Sequence, residues 1–264
     1  MNIDDYLLKP FNFSSFVKSV SKVSDALANK SISIQNNIAI THYNLGLVYL
    51  HTGKSKLARR SFEEALKLAP RSTAARLELA NALQAEGTPE NAIPVYEKVL
   101  ESSPDSPPVL ANLASAYNTT GRFDKAIQCY KRLLTLQGNS AETLFMLGNA
   151  YRSAEDLEAA EAAYRSALQI NPNLSGVLNN LGLTLFDQGL YKDAENCFNR
   201  SLEIEPRQSD AYINLAKCLQ EQRKLTAARE ILERALDFHR EKPEIHWDLS
   251  LILLKLGQFE EGWR

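Results

Sequence analysis

The chain has 264 residues, a formal net charge of −2, 23% charged side chains and three cysteines. That near-neutral balance argues against a nucleic-acid partner, which requires a basic stripe to neutralise phosphates, and no stretch is apolar for the length of a membrane span. The acidic start Met1-Asn2-Ile3-Asp4-Asp5 lacks the apolar core of a secretory signal, and the cysteines have neither metal-ligand nor redox spacing, so the expectation is a cytoplasmic protein with no cofactor and no metal.

Residues 1–38 form an N-terminal capping segment. The amphipathic run Phe13, Phe16, Val17, Val20, Val23 and Leu27 predicts one helix over about 13–28, with Asn12 as its N-cap. Its apolar stripe is expected to cover the first unit of the array that follows. Ser31 to Asn37, polar and without period, reads as a linker. The stretch Asp4-Asp5-Tyr6-Leu7-Leu8-Lys9-Pro10-Phe11 and the run after it resemble the last strand and helix of bacterial response-regulator receiver domains, where the lysine before the proline contacts the phosphorylated aspartate. Everything upstream in that family, the phosphoacceptor aspartate included, has no counterpart here. The segment is therefore read either as the remnant of a receiver or as a capping helix.

From Ala39 onward one signal governs the chain. Leu45, Leu79, Leu113, Leu147, Leu181, Leu215 and Leu249 recur every 34 residues, without insertion or deletion. Each precedes a small residue (Gly46, Ala80, Ala114, Gly148, Gly182, Ala216, Ser250), and four positions after each leucine stands another apolar side chain, from Tyr49 to Leu253. That spacing is one helix face. A second set, Ala58, Phe62 and Leu66 with their copies, predicts a second helix. Between the two lie Gly53, Gly87, Gly121, Gly189 and Gly257, with Glu155 and Arg223 as exceptions; glycine suits a helix C-terminus because it enters the left-handed region without steric cost. Pro70, Pro104, Pro172 and Pro206 stop the second helix.

The predicted units are 39–72, 73–106, 107–140, 141–174, 175–208, 209–242 and a partial 243–264. Pro94, about one turn into the second helix of unit two, is expected to bend it. Unit three ends at Gly138 instead of proline. The last unit breaks off after the opening of its second helix, which leaves Trp263 without a partner. The expectation is that the native chain continues, or that the unfinished end pairs with another copy to give a homo-oligomer. Cys129 and Cys197, two units apart, are read as packing residues, and so are the rings of His42 and His246.

Leu45-Gly46, Tyr49, Ala58, Phe62, Ala65 and Pro70 resemble the tetratricopeptide repeat consensus position for position, and the resemblance covers nearly all of the chain. It implies an all-α fold, a right-handed superhelical solenoid of antiparallel helix pairs, with the first helix of each pair lining a concave groove. Just before the signature leucines stand Asn44, Glu78, Asn112, Met146, Asn180, Asn214 and Asp248. An amide both donates to and accepts from an extended backbone, and the row is similar to the asparagine ladder of the protein O-linked N-acetylglucosamine transferase superhelix. Asn81 and Asn149 one turn on, with Tyr43, Phe145 and Trp247 beside the amides, extend the candidate peptide-binding set. Asparagine at that place is also common in tetratricopeptide repeats of every function, so a purely structural role stands beside the ladder.

No nucleophile, paired carboxylate or phosphate loop appears, so the chain is read as non-catalytic: a protein-interaction scaffold holding a protein or peptide partner. Two alternatives stay open. One is the substrate-recruiting arm of a larger glycosyltransferase or sulfotransferase, which the ending Gly257 to Arg264 resembles; the other is the output array of a response regulator. The helix-pair reading itself has a direct test. Ala126→Leu is expected to overpack the interface between paired helices and to lower stability by about 1–3 kcal/mol, read from the thermal midpoint; an unchanged midpoint contradicts the packing.

Overall fold

The computed structural model describes residues 13–262, and these residues are helical with no strand among them. The helices come in consecutive pairs: α1 (Phe13–His51) with α2 (Ser55–Leu68), α3 (Thr73–Ala85) with α4 (Pro89–Ser102), α5 (Pro107–Thr119) with α6 (Phe123–Gln137), α7 (Ala141–Ser153) with α8 (Leu157–Ile170), α9 (Ser175–Asp187) with α10 (Tyr191–Ile204), α11 (Ser209–Glu221) with α12 (Leu225–Phe238), and α13 (Pro243–Lys255) with the short α14 (Phe259–Gly262). From α3 to α13 the first helix of every pair begins 34 residues after the last. Two compact units result, one ending at Ser102 and one beginning at Ser103. Within each, every helix packs against the next in the chain. This is the expected all-α arrangement of helix pairs.

The N-terminal segment departs from expectation. Ser31 to Asn37 is not a linker: α1 runs unbroken from Phe13 to His51 and joins the predicted capping helix to the first repeat. The cause lies in what the segment lacks, since no glycine or proline stands between Pro10 and Gly46. Serine and asparagine are mediocre helix formers but do not break a helix flanked by helix on both sides. Of the apolar stripe, Val20 and Val23 are exposed rather than set against the first repeat; Ile32, Ile34 and Ile38 are exposed too, and among the described side chains the first buried one is Ala39. Lys9-Pro10, Asn12 and Trp263 lie outside the described residues.

Each turn inside a pair has the same hydrogen bonding. The amide three residues past the helix returns to the carbonyl of the apolar residue four places after the signature leucine: Lys54 to Tyr49, Thr88 to Leu83, Arg122 to Tyr117, Asp156 to Tyr151, Leu190 to Leu185, Lys224 to Leu219 and Gln258 to Leu253, at 2.8–3.1 Å. This six-to-one bond needs a left-handed residue before it. Glycine supplies it five times, and Glu155 (φ 63°) and Arg223 (φ 61°) adopt the same conformation despite their side chains. The closure therefore survives the loss of glycine, at a backbone cost of about 1–2 kcal/mol per site. Helix α4 continues through Pro94, which is exposed, so that one intrahelical bond is lost and the helix is not ended.

Packing within a pair turns on a small residue facing a ring. A Cβ added at Gly46 would stand 2.5 Å from the Phe62 ring, at Gly148 2.5 Å from Tyr164, and at Gly182 2.6 Å from Phe198. Those rings are fully buried, as are Tyr96 and Tyr212 in other pairs. Between successive repeats of the second unit the core is continuous, from Leu144 through Leu181 and Leu215 to Ile252. His246 does not share in it: the ring is exposed and its Nε2 lies 2.6 Å from the Arg240 carbonyl oxygen, because no second-helix ring of its own repeat stands against it among the described residues.

Two expectations follow for stability. Gly148→Ala should cost about 1–3 kcal/mol by driving a methyl group into the Tyr164 ring, measured as a lower denaturant midpoint. Burial also pushes the Tyr130 and Tyr164 phenols up to about 12, from an ordinary value of 10.0. A pKa raised on folding gives stability that is complete below the unfolded value and lost as pH climbs toward the folded one. The thermal midpoint should therefore fall between about pH 10 and 12, and Tyr164→Phe should flatten that fall; an equally steep decline in the variant would contradict it.

Candidate functional site

Two clefts open between first helices of the second unit. One, of about 410 Å³, lies between α5 and α7 and is lined by Ala111, Asn112, Ser115, Thr143 and Met146, with Tyr130 and Leu133 of α6 at its floor. The other, of about 560 Å³, lies between α11 and α13 and is lined by Ile213, Lys217, Glu244, Trp247 and Asp248. They share repeat positions. Asn112, Met146 and Asp248 each precede the signature leucine; Ala111, Ile213 and Trp247 stand two before it; Ser115 and Lys217 stand two after. The 34-residue period thus sets equivalent faces of α5 and α7, and of α11 and α13, toward these two clefts.

The candidate asparagines divide by what their amides touch. Asn180 donates from Nδ2 to Asn149 Oδ1 at 2.8 Å, and the same oxygen accepts the Tyr164 hydroxyl at 2.7 Å. Asn214 donates to Asn179 Oδ1 at 3.0 Å. These bonds tie successive first helices together, so part of the amide row is a structural strut. In the first unit Asn81 is engaged at both ends, accepting from Tyr96 at 2.8 Å and donating to Glu78 at 3.1 Å. Asn44 is exposed on α1, and Asn112 lines the α5–α7 cleft.

The aromatic candidates divide likewise. Tyr43 packs on Phe62 with ring centroids 5.9 Å apart, and Phe145 on Tyr164 at 6.1 Å, so both rings brace their own repeat. Trp247 is 67% exposed in the α11–α13 cleft. Two participants escaped the sequence reading. Met146, which stands in the row but not in the candidate set, is 38% exposed and forms part of a cleft wall. Asn179, buried, is the acceptor that fixes Asn214; no periodic signal marked it, since the other repeats carry Tyr43, Leu77, Ala111, Phe145, Ile213 and Trp247 at that place.

A third opening, about 710 Å³, lies at the C-terminal ends of α7 and α9 among Asn149, Arg152, Tyr164 and Asp187. Arg152 bridges to Asp187 at 3.1 Å, which joins these two first helices at the far end from the clefts. Among the described residues no group of three or more His, Cys, Asp or Glu side chains is placed to hold a metal, and no helix is long and apolar enough to cross a membrane.

Comparison with known proteins agrees with this geometry. Tetratricopeptide-repeat profiles match residues 43–107, 108–173 and 173–241. No curated protein sequence matches the chain. Among solved structures, a tetratricopeptide repeat protein from Parabacteroides merdae superposes with a TM-score of 0.72 at 20% identity, over 86% of this chain and 90% of that one. The crystal structure of MamA matches at TM-score 0.59 and 24% identity, over 65% of this chain and 94% of its own. YrrB, described as a TPR protein with an unusual peptide-binding site, matches at 0.56 and 19%, over 75% and 98%. At these identities what is shared is the fold. Helix pairs at a fixed 34-residue interval, closed by one recurring turn and matched by repeat profiles over three quarters of the length, place this chain in the tetratricopeptide repeat family.

Proposed function

We propose that the protein is a non-catalytic interaction scaffold that binds an extended segment of a partner protein along the first helices of its second unit. The observation that carries this is the recurrence of one set of repeat positions in two separate clefts, each with a large adaptable side chain left to solvent, Met146 in one and Trp247 in the other. Exposed methionine and tryptophan supply contact area at surfaces that recognise other proteins. Where an amide already donates to a neighbour, as at Asn180 and Asn214, its oxygen retains lone pairs for a partner's backbone N–H. Backbone recognition is thereby possible without abandoning the struts. The peptide-binding site in YrrB's description supports the choice of ligand class.

A second reading is favoured by α1. If the first residues are the end of a receiver domain, the unbroken helix carries that domain's last element directly into the first repeat, as an output array would require.

The scaffold reading is tested by selecting binders from a random twelve-residue peptide library and measuring their affinity by fluorescence anisotropy. Met146→Glu should weaken the selected peptides about tenfold or more, since it places a charge where apolar contact is made. Its thermal midpoint should stay within about 0.5 kcal/mol of the parent, as for an exposed substitution. Asn180→Ala is the poorer probe, because it also removes the bond to Asn149 and should lower stability by about 0.5–1.5 kcal/mol. Failure to select any peptide, or selected peptides indifferent to Met146→Glu, overturns the proposal.

A further inference from the structure

Within each unit a later first helix packs against the second helix of the repeat before it. The signature leucines Leu147, Leu181 and Leu215 are at most 6% exposed, and the residues three places on, Ala82, Ala150, Thr184 and Cys218, are fully buried. On α1 the same two positions are Leu45, 40% exposed, and Val48, 57% exposed. The stacking face is therefore built but uncovered. It also continues down the helix: Val20, Val23, Ile34, Ile38, Leu45 and Val48 are all exposed and fall on one stripe, with Lys30 and Thr41 at the intervening places. Their spacing alternates between steps of three and four or sums of these, the period with which one helix keeps a seam toward a second.

We propose that this stripe pairs with its counterpart on a second copy of the chain, the two α1 helices running antiparallel about a two-fold axis at Ile34. In that register Val20 meets Val48 of the second copy, Val23 meets its Leu45, Lys30 meets its Ile38, and Ile34 meets itself. Three observations select a second copy as the occupant. The stripe is its own complement, since positions equidistant from Ile34 are occupied on both sides, which is the condition for an isologous contact. Residues 31–51 carry no aspartate, glutamate, lysine or arginine, so the charge nearest the axis is Lys30 and the rest of the central seam is uncharged. The two Lys30 side chains would start about 12 Å apart along the axis, beyond a physiological screening length of about 8 Å.

The area is also sufficient. From Val20 to Val48 the stripe runs about 42 Å, and covering it on both copies removes on the order of 1,000 Å² of surface, where specific interfaces begin. A projecting helix rich in serine and β-branched residues is marginal in water on propensity alone. Pairing supplies the apolar contact that the rest of unit one does not.

Sedimentation equilibrium of the full chain at micromolar concentration should give twice the monomer mass of 29.6 kDa. Leu45→Glu combined with Val48→Glu should restore the monomer with helical circular dichroism unchanged. Ile34→Glu, at an exposed position five residues before Ala39, should do the same with the thermal midpoint unchanged, which separates its effect from unfolding of the first repeat. In a mixture of Val20→Cys and Val48→Cys chains, a bifunctional thiol reagent should join unlike chains and leave each variant alone unjoined. A monomeric parent, a dimer that survives all of these substitutions, cross-linking of like with like, or masses that climb past the dimer with concentration would each overturn the pairing.

Discussion

Helix separation inside each pair governs the rest of this structure. Where glycine faces a ring, as at Gly46, Gly148 and Gly182, the backbone of one helix lies against the aromatic edge of the other with no room for a methyl group. Because packed interiors are as dense as crystals, such a contact sets the distance between axes rather than merely accompanying it. Every other relation depends on that distance. It fixes how far the turn must reach, how the next pair stacks, and how wide the cleft between successive first helices stands. Ala80 and Ala114 occupy the same place opposite Tyr96 and Tyr130, and both rings are buried there too, so pairs of slightly different closeness fit one array.

Much of this was legible in the residues themselves. The 34-residue recurrence gave the helix pairs and their order, and the glycine row gave the turns. Glu155 and Arg223 show why the turn reading could survive its exceptions: the six-to-one bond is made by backbone groups, and the stacked pairs hold those groups in place whichever side chain sits between them. The long-range amide pairs were not legible in the same way. Asn149 and Asn180 lie 31 residues apart, and Asn179 and Asn214 lie 35 apart, so neither pair follows the repeat period. Only the stacked backbone brings them within reach.

The misread segment at Ser31 to Asn37 failed for a different reason. A short stretch rich in serine and asparagine looks like a loop, yet it holds no glycine or proline to end a helix, and Ile32 and Ile34 lie within it. The candidate site was legible only in part, because asparagine at a repeat position has two meanings that the sequence leaves open. Asn180 serves as a strut to the neighbouring helix, and Asn112 lines a cleft. Side-chain identity alone does not assign such roles; what the stacked helices bring opposite the amide does.

The unbroken α1 has a thermodynamic meaning of its own. In a stacked array each repeat is held by its neighbours, so a terminal repeat, with one neighbour instead of two, opens at the lowest free energy. Helix formation, however, meets its nucleation cost once and then propagates. With the arm and the first helix of repeat one forming a single run of backbone hydrogen bonds, order imposed anywhere along residues 13–38 propagates into the repeat without a second nucleus. The amides from Ala39 to His51 should therefore exchange with solvent at a rate that reports on events some forty ångströms away.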